Sequence, residues 1–315
     1  MSHAHTILSY NASPELFCER DRDVPDTPRD ADHLEEAMLI SEVIANVKAY
    51  CGQTWDGPIY DDTTRDQVLY GPVDVTCTGI VTTCFASADV IRQAHARGAN
   101  LIICHEALFW NHGDHTCWLA SNKTFAAKRA LLDECGITVW RLHDHIHSGA
   151  PENGRLVDSI FMGLADKLGW RDYVTGNPDR PMNFTIPETT AGELARFLVA
   201  RLGLNGTRIV GDADARVRTV KVPMHLIGQF DNETTAAMDA GVDCLVTMEA
   251  TDFTTSEYVR DSAQLGLGKA MICIGHFNVE EPGMEYMLRW LPEASGADVP
   301  MSFVASGDPW TYVTA

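Results

Sequence analysis

Apolar residues along this chain fall into two kinds of run, and the two kinds alternate. One kind is short and continuous: Gly79 to Cys84, Asn100 to Cys104, Ile137 to Leu142, Asn183 to Ile186, 220–227, 243–247, Ala270 to Ile274 and Met301 to Ala305. Such runs, bounded by glycine or polar residues, predict buried strands. The other kind is periodic. Leu34, Met38, Leu39, Val43, Ile44 and Val47 fit one helical face up to Tyr50, and Leu156, Ile160, Leu164 and Leu168 fit another. Further helices are expected over Ser87 to Arg97, up to Gly136, over Thr190 to Leu202, from an Asp231 N-cap to Ala240, over Thr254 to Leu265, and over Met284 to Leu291 with Asn278 as N-cap. Ser87 as N-cap and Gly98 as stop mark the clearest of these.

Strand, helix and strand between Gly79 and Cys104 make a parallel βαβ unit. A second α/β segment begins at Val220. Laid together without gaps, Gly98 falls on Gly241, Leu101-Ile-Ile-Cys104 on Cys244-Leu-Val-Thr247, and Glu106 on Glu249. The pattern therefore predicts an α/β protein of two similar lobes with central mixed sheets. Residues 1–33, polar and without period, form an N-terminal extension. The first lobe is expected over 34–170 and the second over 171–315. In α/β sheets, ligands gather at the carboxyl ends of the strands, so a site between the lobes is expected there.

Composition narrows the class. No apolar run approaches the roughly 20 residues of a membrane helix, and the first residues lack the apolar segment of a signal peptide. The formal charge of −20, with Lys and Arg scattered, argues against nucleic acid as a partner. Nine cysteines stand at irregular spacings, several inside strand-like runs, which suits a reduced, cytoplasmic protein better than a disulfide framework.

The twelve histidines change the picture, because they cluster at strand ends. His105 and Glu106 follow one strand. The next runs into His143-Asp-His-Ile-His147, where alternate histidines on an extended segment would share one side. A third ends in Gly275-His276, with Glu280 four residues on. Imidazole with carboxylate favours Zn, Mn, Fe or Co over Ca. A polar shell of His112, Asp114, His115, Asp144 and His145 surrounds these positions in sequence, and proton carriers of that kind suit an enzyme more than a passive site.

These segments resemble the NIF-three-like family, also described as type-two-like GTP cyclohydrolase homologues, whose members carry a dinuclear metal site. The family's HHP-hydrophobic-F motif is similar to His105-Glu-Ala-Leu-Phe109, its HTNLD motif to His143-Asp-His-Ile-His147, its late GHxxxE motif to Gly275-His276 with Glu280, and its early WDN to Trp55-Asp56-Gly57. The resemblance covers about residues 38–313. It implies two divalent transition metals held by His105, Glu106, His147, His276 and Glu280. Two positions depart from the family: Glu106 stands for a His, and His147 for an Asp. The exchanges leave three histidines and two carboxylates, and Asp144 is the alternative to His147.

The resemblance implies a metal-dependent hydrolase that opens a small-molecule C–N bond, in a cyclic amide or a GTP-cyclohydrolase-like substrate. His143 and Glu249 are then the candidate catalytic proton carriers. It also implies self-association into a homohexamer. The alternative is a non-catalytic dinuclear-metal-binding or protein-interaction protein.

Overall fold

The structure, a computed structural model, describes residues 38–228 and 231–313. The expected extension over 1–33 lies outside the described residues, as do Leu34 and the side chain of Asp231 that was to cap a helix. The α/β class holds, and the sheets are mixed.

The first sheet contains β1 (Val68–Tyr70), β2 (Ile80–Thr83), β3 (Leu101–Cys104) and β4 (Thr138–Arg141). A small antiparallel hairpin follows, β5 (Ala150–Glu152) and β6 (Arg155–Val157). Asn153 and Gly154 both have positive φ, as a two-residue hairpin turn requires. The second sheet is built from β7 (Val174–Thr175), β8 (Asn183–Thr190), β9 (Arg208–Gly211), β10 (Arg216–Lys221), β11 (Cys244–Thr247) and β12 (Ala270–Cys273). The last strand, β13 (Met301–Phe303), returns to the first sheet and pairs parallel with β2.

The orders are β1-β4-β3-β2-β13 and β7-β8-β10-β11-β12-β9. In the first, β4, β3, β2 and β13 are parallel, with β1 antiparallel at the edge. In the second, only β10, β11 and β12 are parallel. The central strands β2, β3, β4, β11 and β12 are buried along their whole length. That is why their sequences read as continuous apolar runs and not as alternation. Ser87 caps the helix Ala88–Ala96 by accepting from the Val90 amide, as its sequence predicts.

Two helices join the sheets. Ser159–Leu168 is buried on nearly every side: Phe161, Leu164 and Leu168 pack in the core of the second sheet, while Ile160 packs in that of the first. His276–Tyr286 lies against it, giving Val279 to one core and Met284 to the other. Their backbones meet at Gly163 and Gly283, where an added Cβ would stand 2.5 Å and 2.4 Å from the opposing Cα atoms. Only hydrogen fits there.

Two local expectations are corrected. The segment after β4 is not extended: Asp144–Ser148 is one helical turn with His143 at its start. The carboxylate of Asp66 explains it, because it accepts from the amides of His143, Asp144 and His145 and so satisfies the free donors of a helix N-terminus. Asn278 is not an N-cap either, since the helix starts at His276 and Asn278 lies inside it, bonded to the Ile274 carbonyl.

Candidate metal centre

Each strand that ends in this region delivers its side chains at the carboxyl edge. His105 leaves β3 fully buried, and its Nδ1 faces the Leu142 carbonyl at 3.1 Å. A carbonyl only accepts, so Nδ1 carries the hydrogen and Nε2 keeps its lone pair. The same logic holds at three more rings. The Nδ1 of His147 meets Asp158 at 3.0 Å, that of His143 meets Asp144 at 2.9 Å, and that of His276 meets Glu249. Four histidines thus present Nε2 with an oxygen acceptor behind the ring, the arrangement that fixes tautomer and orientation in metal-binding histidines.

The helical turn decides which histidines converge. At i and i+4, His143 and His147 share a face, and each has a ring nitrogen within 4.8 Å of one of His105 and of the other. His143 stacks on His105 at 4.5 Å, and Trp55 covers His147 at 4.8 Å. His145, between them, turns to the other side and bonds Asp66. The period of 3.6, not of two, therefore explains the pairing. Asp144 points away from this group, held by the Thr64 hydroxyl at 2.9 Å and the Arg65 amide at 3.0 Å.

A second group joins His105 to Glu106 and Glu280. His276 and Glu280 lie one turn apart on their helix, with Nε2 and Oε2 separated by 3.0 Å. The same Oε2 is 3.7 Å from His105 Nε2, and His276 Nε2 is 3.4 Å from Glu106 Oε1. Despite these distances, the buried atoms His105 Nε2, Glu106 Oε1 and His276 Nε2 have no aligned hydrogen-bond partner. Buried polar atoms left so cost on the order of 1–3 kcal/mol each unless something satisfies them. A cation between them would do so, and the donor set of imidazole and carboxylate suits a divalent transition metal. The five residues expected from sequence as ligands, His105, Glu106, His147, His276 and Glu280, stand in this one region, linked through His105.

Charge supports the same fit. Burial works against a charged His276, but Glu106, Glu249 and Glu280 around it push the imidazole up to about 12, so without a cation the ring itself carries at Nε2 the proton that a bound metal would displace. Burial and the neighbouring His105 push His143 down to about 3, so that ring is neutral and keeps its lone pair. Burial opposes the charge on Glu249, yet His225 and His276 hold it down at about 2. Three carboxylates crowd one ring, and the crowd is stable only around a positive charge.

Glu106 is held from behind by Arg141, whose side chain is fully buried at the end of β4. Its Nη2 is 3.4 Å from Glu106 Oε2, its Nε donates to the His105 carbonyl at 3.0 Å, and its Nη1 bonds Asp114 at 2.8 Å. Only Oε1 of Glu106 is left facing the group. Glu249 stands differently: it bonds Nδ1 of His276 and, at 3.1 Å, Nδ1 of His225.

Comparison with known proteins agrees with this architecture. A model of the Duf34/NIF3 (NGG1p interacting factor 3) family matches residues 160–309, which include Glu249, His276 and Glu280. A GTP cyclohydrolase 1 type 2 homolog from Clostridium perfringens is 23% identical over 254 residues, 78% of this chain and 90% of that protein. In fold, the chain is similar to a NIF3-related protein of Bacillus cereus, with a TM-score of 0.64 at 16% identity over 89% of this chain and 100% of the other. A Staphylococcus aureus protein gives 0.62 at 16% identity, over 88% and 100%.

The match to the NIF3 family model is carried by residues 160–309, and the fold of the whole chain is similar to that of NIF3-related proteins.

The early Trp55, through His147 and His105, and the late His276 and Glu280 border the same group of side chains, although about 220 residues separate them in sequence. Sequence reasoning missed four residues that hold the others: Asp66, Arg141, Asp158 and His225. Asp66 stands in a run of polar and charged residues, Asp61 to Asp66, that carries no other signal. Arg141 was hidden inside an apolar strand pattern, where a charged residue at a strand's end is the one available signal. Asp158 also caps the helix Ser159–Leu168 by accepting from the Ile160 and Phe161 amides, and that capping role could have singled it out.

Proposed function

We propose that the chain is a metal-dependent hydrolase acting on a C–N bond of a small molecule, with its site between two α/β lobes. The observation that carries this is the convergence of His105 Nε2, Glu106 Oε1 and His276 Nε2, buried and unbonded, around Glu280. The ligands are His105, Glu106, His147, His276 and Glu280. His147 is preferred to Asp144, because Asp158 orients its ring toward His105 while Thr64 and Arg65 occupy Asp144. Two divalent transition metals held there would supply a Lewis acid and lower the pKa of water toward about 7.

The remaining steps fall to the chain. Arg141 fixes Glu106 and keeps its second oxygen off the reacting side. Glu249 holds His276 in the tautomer with Nε2 free. His143, stacked on His105 and backed at Nδ1 by Asp144, would take a proton of the attacking water at Nε2 and return it to the leaving nitrogen, a role that requires the bound substrate to raise its basicity from about 3. Trp55 over His147 and the buried floor keep bulk water away from one side. The name of the Clostridium relative favours a cyclic C–N bond. The family resemblance further suggests a homohexamer, for which a monomer in light scattering at micromolar concentration is the opposing result.

The test is elemental analysis of the purified chain followed by a turnover screen with cyclic amides and nucleotides. Up to two metals per chain and metal-dependent product formation, both lost in Glu280→Ala, are expected. Metal content well below one per chain after reconstitution with Zn, Mn, Fe and Co would overturn the reading. Metal uptake with no turnover on any cyclic amide or nucleotide would instead favour a metal-binding or interaction role.

A further inference from the structure

Beside His276 and Glu249 lies a cavity of about 610 Å³. Its floor is formed at the end of β12, and its walls include Phe277, Trp310, Tyr312 and Arg208. The wall with Trp310 and Tyr312 belongs to the C-terminal segment 307–313, which is tied across the opening. The Asn205 amide donates to Asp308 Oδ2 at 2.9 Å, and Asn205 Nδ2 donates to the Trp310 carbonyl at 2.8 Å. Tyr312 lies where a side chain at residue 206 would be, only 2.7 Å from a Cβ added to Gly206. The aromatic wall is therefore seated by a glycine and an asparagine made for it.

The cavity also carries a positive charge. The protein is formally −20, yet Arg208 makes no ion pair among the described residues; its nearest polar contact is Cys273 Sγ at 3.5 Å. The two acids on the side of this cavity are already engaged, while Asp252 and Glu257 lie with Arg208 on a neighbouring cavity. Glu249 is bonded to two histidines, and the two oxygens of Asp308 accept from the Asn205 and Trp310 amides. The exposed Arg208 guanidinium is thus free to meet a ligand on a wall it shares with Phe277, Trp310 and Tyr312. Trp310 remains 58% exposed, a large ring face without cover.

We propose that this cavity recognises the substrate of the adjoining metal centre, and that it takes a planar ring carrying an anionic group, the ring lying against Phe277 and Trp310 and the anion on Arg208. The assignment rests on the function proposed above for its placement, but the pocket itself holds without metal. A guanidinium binds a carboxylate or phosphate through charge-assisted bonds, and the aromatic faces favour a flat ring. Such a ligand would extend from Arg208 along the cavity to His276, which is the ligand residue lining it.

Quinoline-3-carboxylate and its carboxamide test the two halves of this claim, because neither chelates and only the first is charged. Calorimetric titrations use the full chain, both as purified and after chelation. The acid is expected to bind at least about tenfold more tightly than the amide. Arg208→Gln should abolish that difference while leaving amide binding unchanged, with Arg208→Lys keeping part of it. Trp310→Ala should weaken both ligands about tenfold. Equal binding of acid and amide, or an acid affinity unmoved by Arg208→Gln, would overturn the proposal. Tight acid binding by a chain that takes up no metal would support the pocket and refute only the metal centre. Metal uptake with no binding of either probe would do the reverse.

Discussion

The ends of β3 and β11 look alike in sequence and do different work. Both strands are buried throughout, and each is followed, two residues on, by a glutamate. Glu106 is the more buried, with 12% of its side chain exposed against 31% for Glu249. Arg141 occupies one oxygen of Glu106, and the other faces His276 Nε2 without a hydrogen bond. Glu249 approaches the same ring from behind, at Nδ1, and binds His225 as well. One glutamate therefore leaves an oxygen facing the His276 Nε2 side, while the other is bonded to the Nδ1 side of the same ring. Position at a strand end makes a residue available. Which neighbour meets it, over what depth of burial, assigns the task.

His276 touches both glutamates, so removing it is the harshest test of the comparison. His276→Ala is expected to drop metal content after reconstitution from two per chain to one or fewer, read by elemental analysis. Unchanged content would separate the two strand ends entirely. Next comes stability in urea. Arg141→Gln strands the buried Glu106 charge and is expected to cost about 3–5 kcal/mol. His225→Ala, at the half-exposed end, should cost less than about 1 kcal/mol. Similar losses would show that depth does not distinguish the ends.

A milder contrast lies in affinity. Glu249→Gln, acting from behind the ring, should weaken metal binding by about 10–100-fold, and Glu106→Gln by more. Competition with a chromogenic chelator measures both, and a larger loss at Glu249 would reverse the assignment. The smallest effect is the coupling between the two exchanged positions. Glu106→His and His147→Asp, made singly and together, should show an interaction above about 1 kcal/mol in metal binding. Additive losses would mean that these residues do not share a site.

Much of this was legible before any coordinates. The parallel βαβ unit, the Ser87 cap and the strand ends bearing His105, Glu106, His276 and Glu280 follow from local pattern, because burial and capping leave their mark within a few residues. What was not legible depends on partners far along the chain. Asp66 folds the 143–147 segment into a helical turn from 77 residues away in sequence, and no periodicity in that segment announces it. Arg141 sits inside an apolar strand because five polar contacts await it in loops that the strand pattern does not describe. The grouping of alternate histidines was read with the wrong period for the same reason: the turn belongs to Asp66, not to the residues that adopt it.

The contact of Gly163 with Gly283 gives the centre an adjustable gauge. One helix begins just after Asp158, which holds His147; the other begins with His276 and Glu280. The distance between these two sets of side chains is therefore set by two backbones pressed together with nothing between them. A methyl group at either glycine would meet opposing backbone and could be accommodated only by parting the two helices, although no residue that faces the candidate site would itself be altered. Spacing and chemistry are in this way encoded at separate positions. Replacing either glycine would therefore disturb the separation of the histidine and glutamate groups while leaving every one of those groups in place.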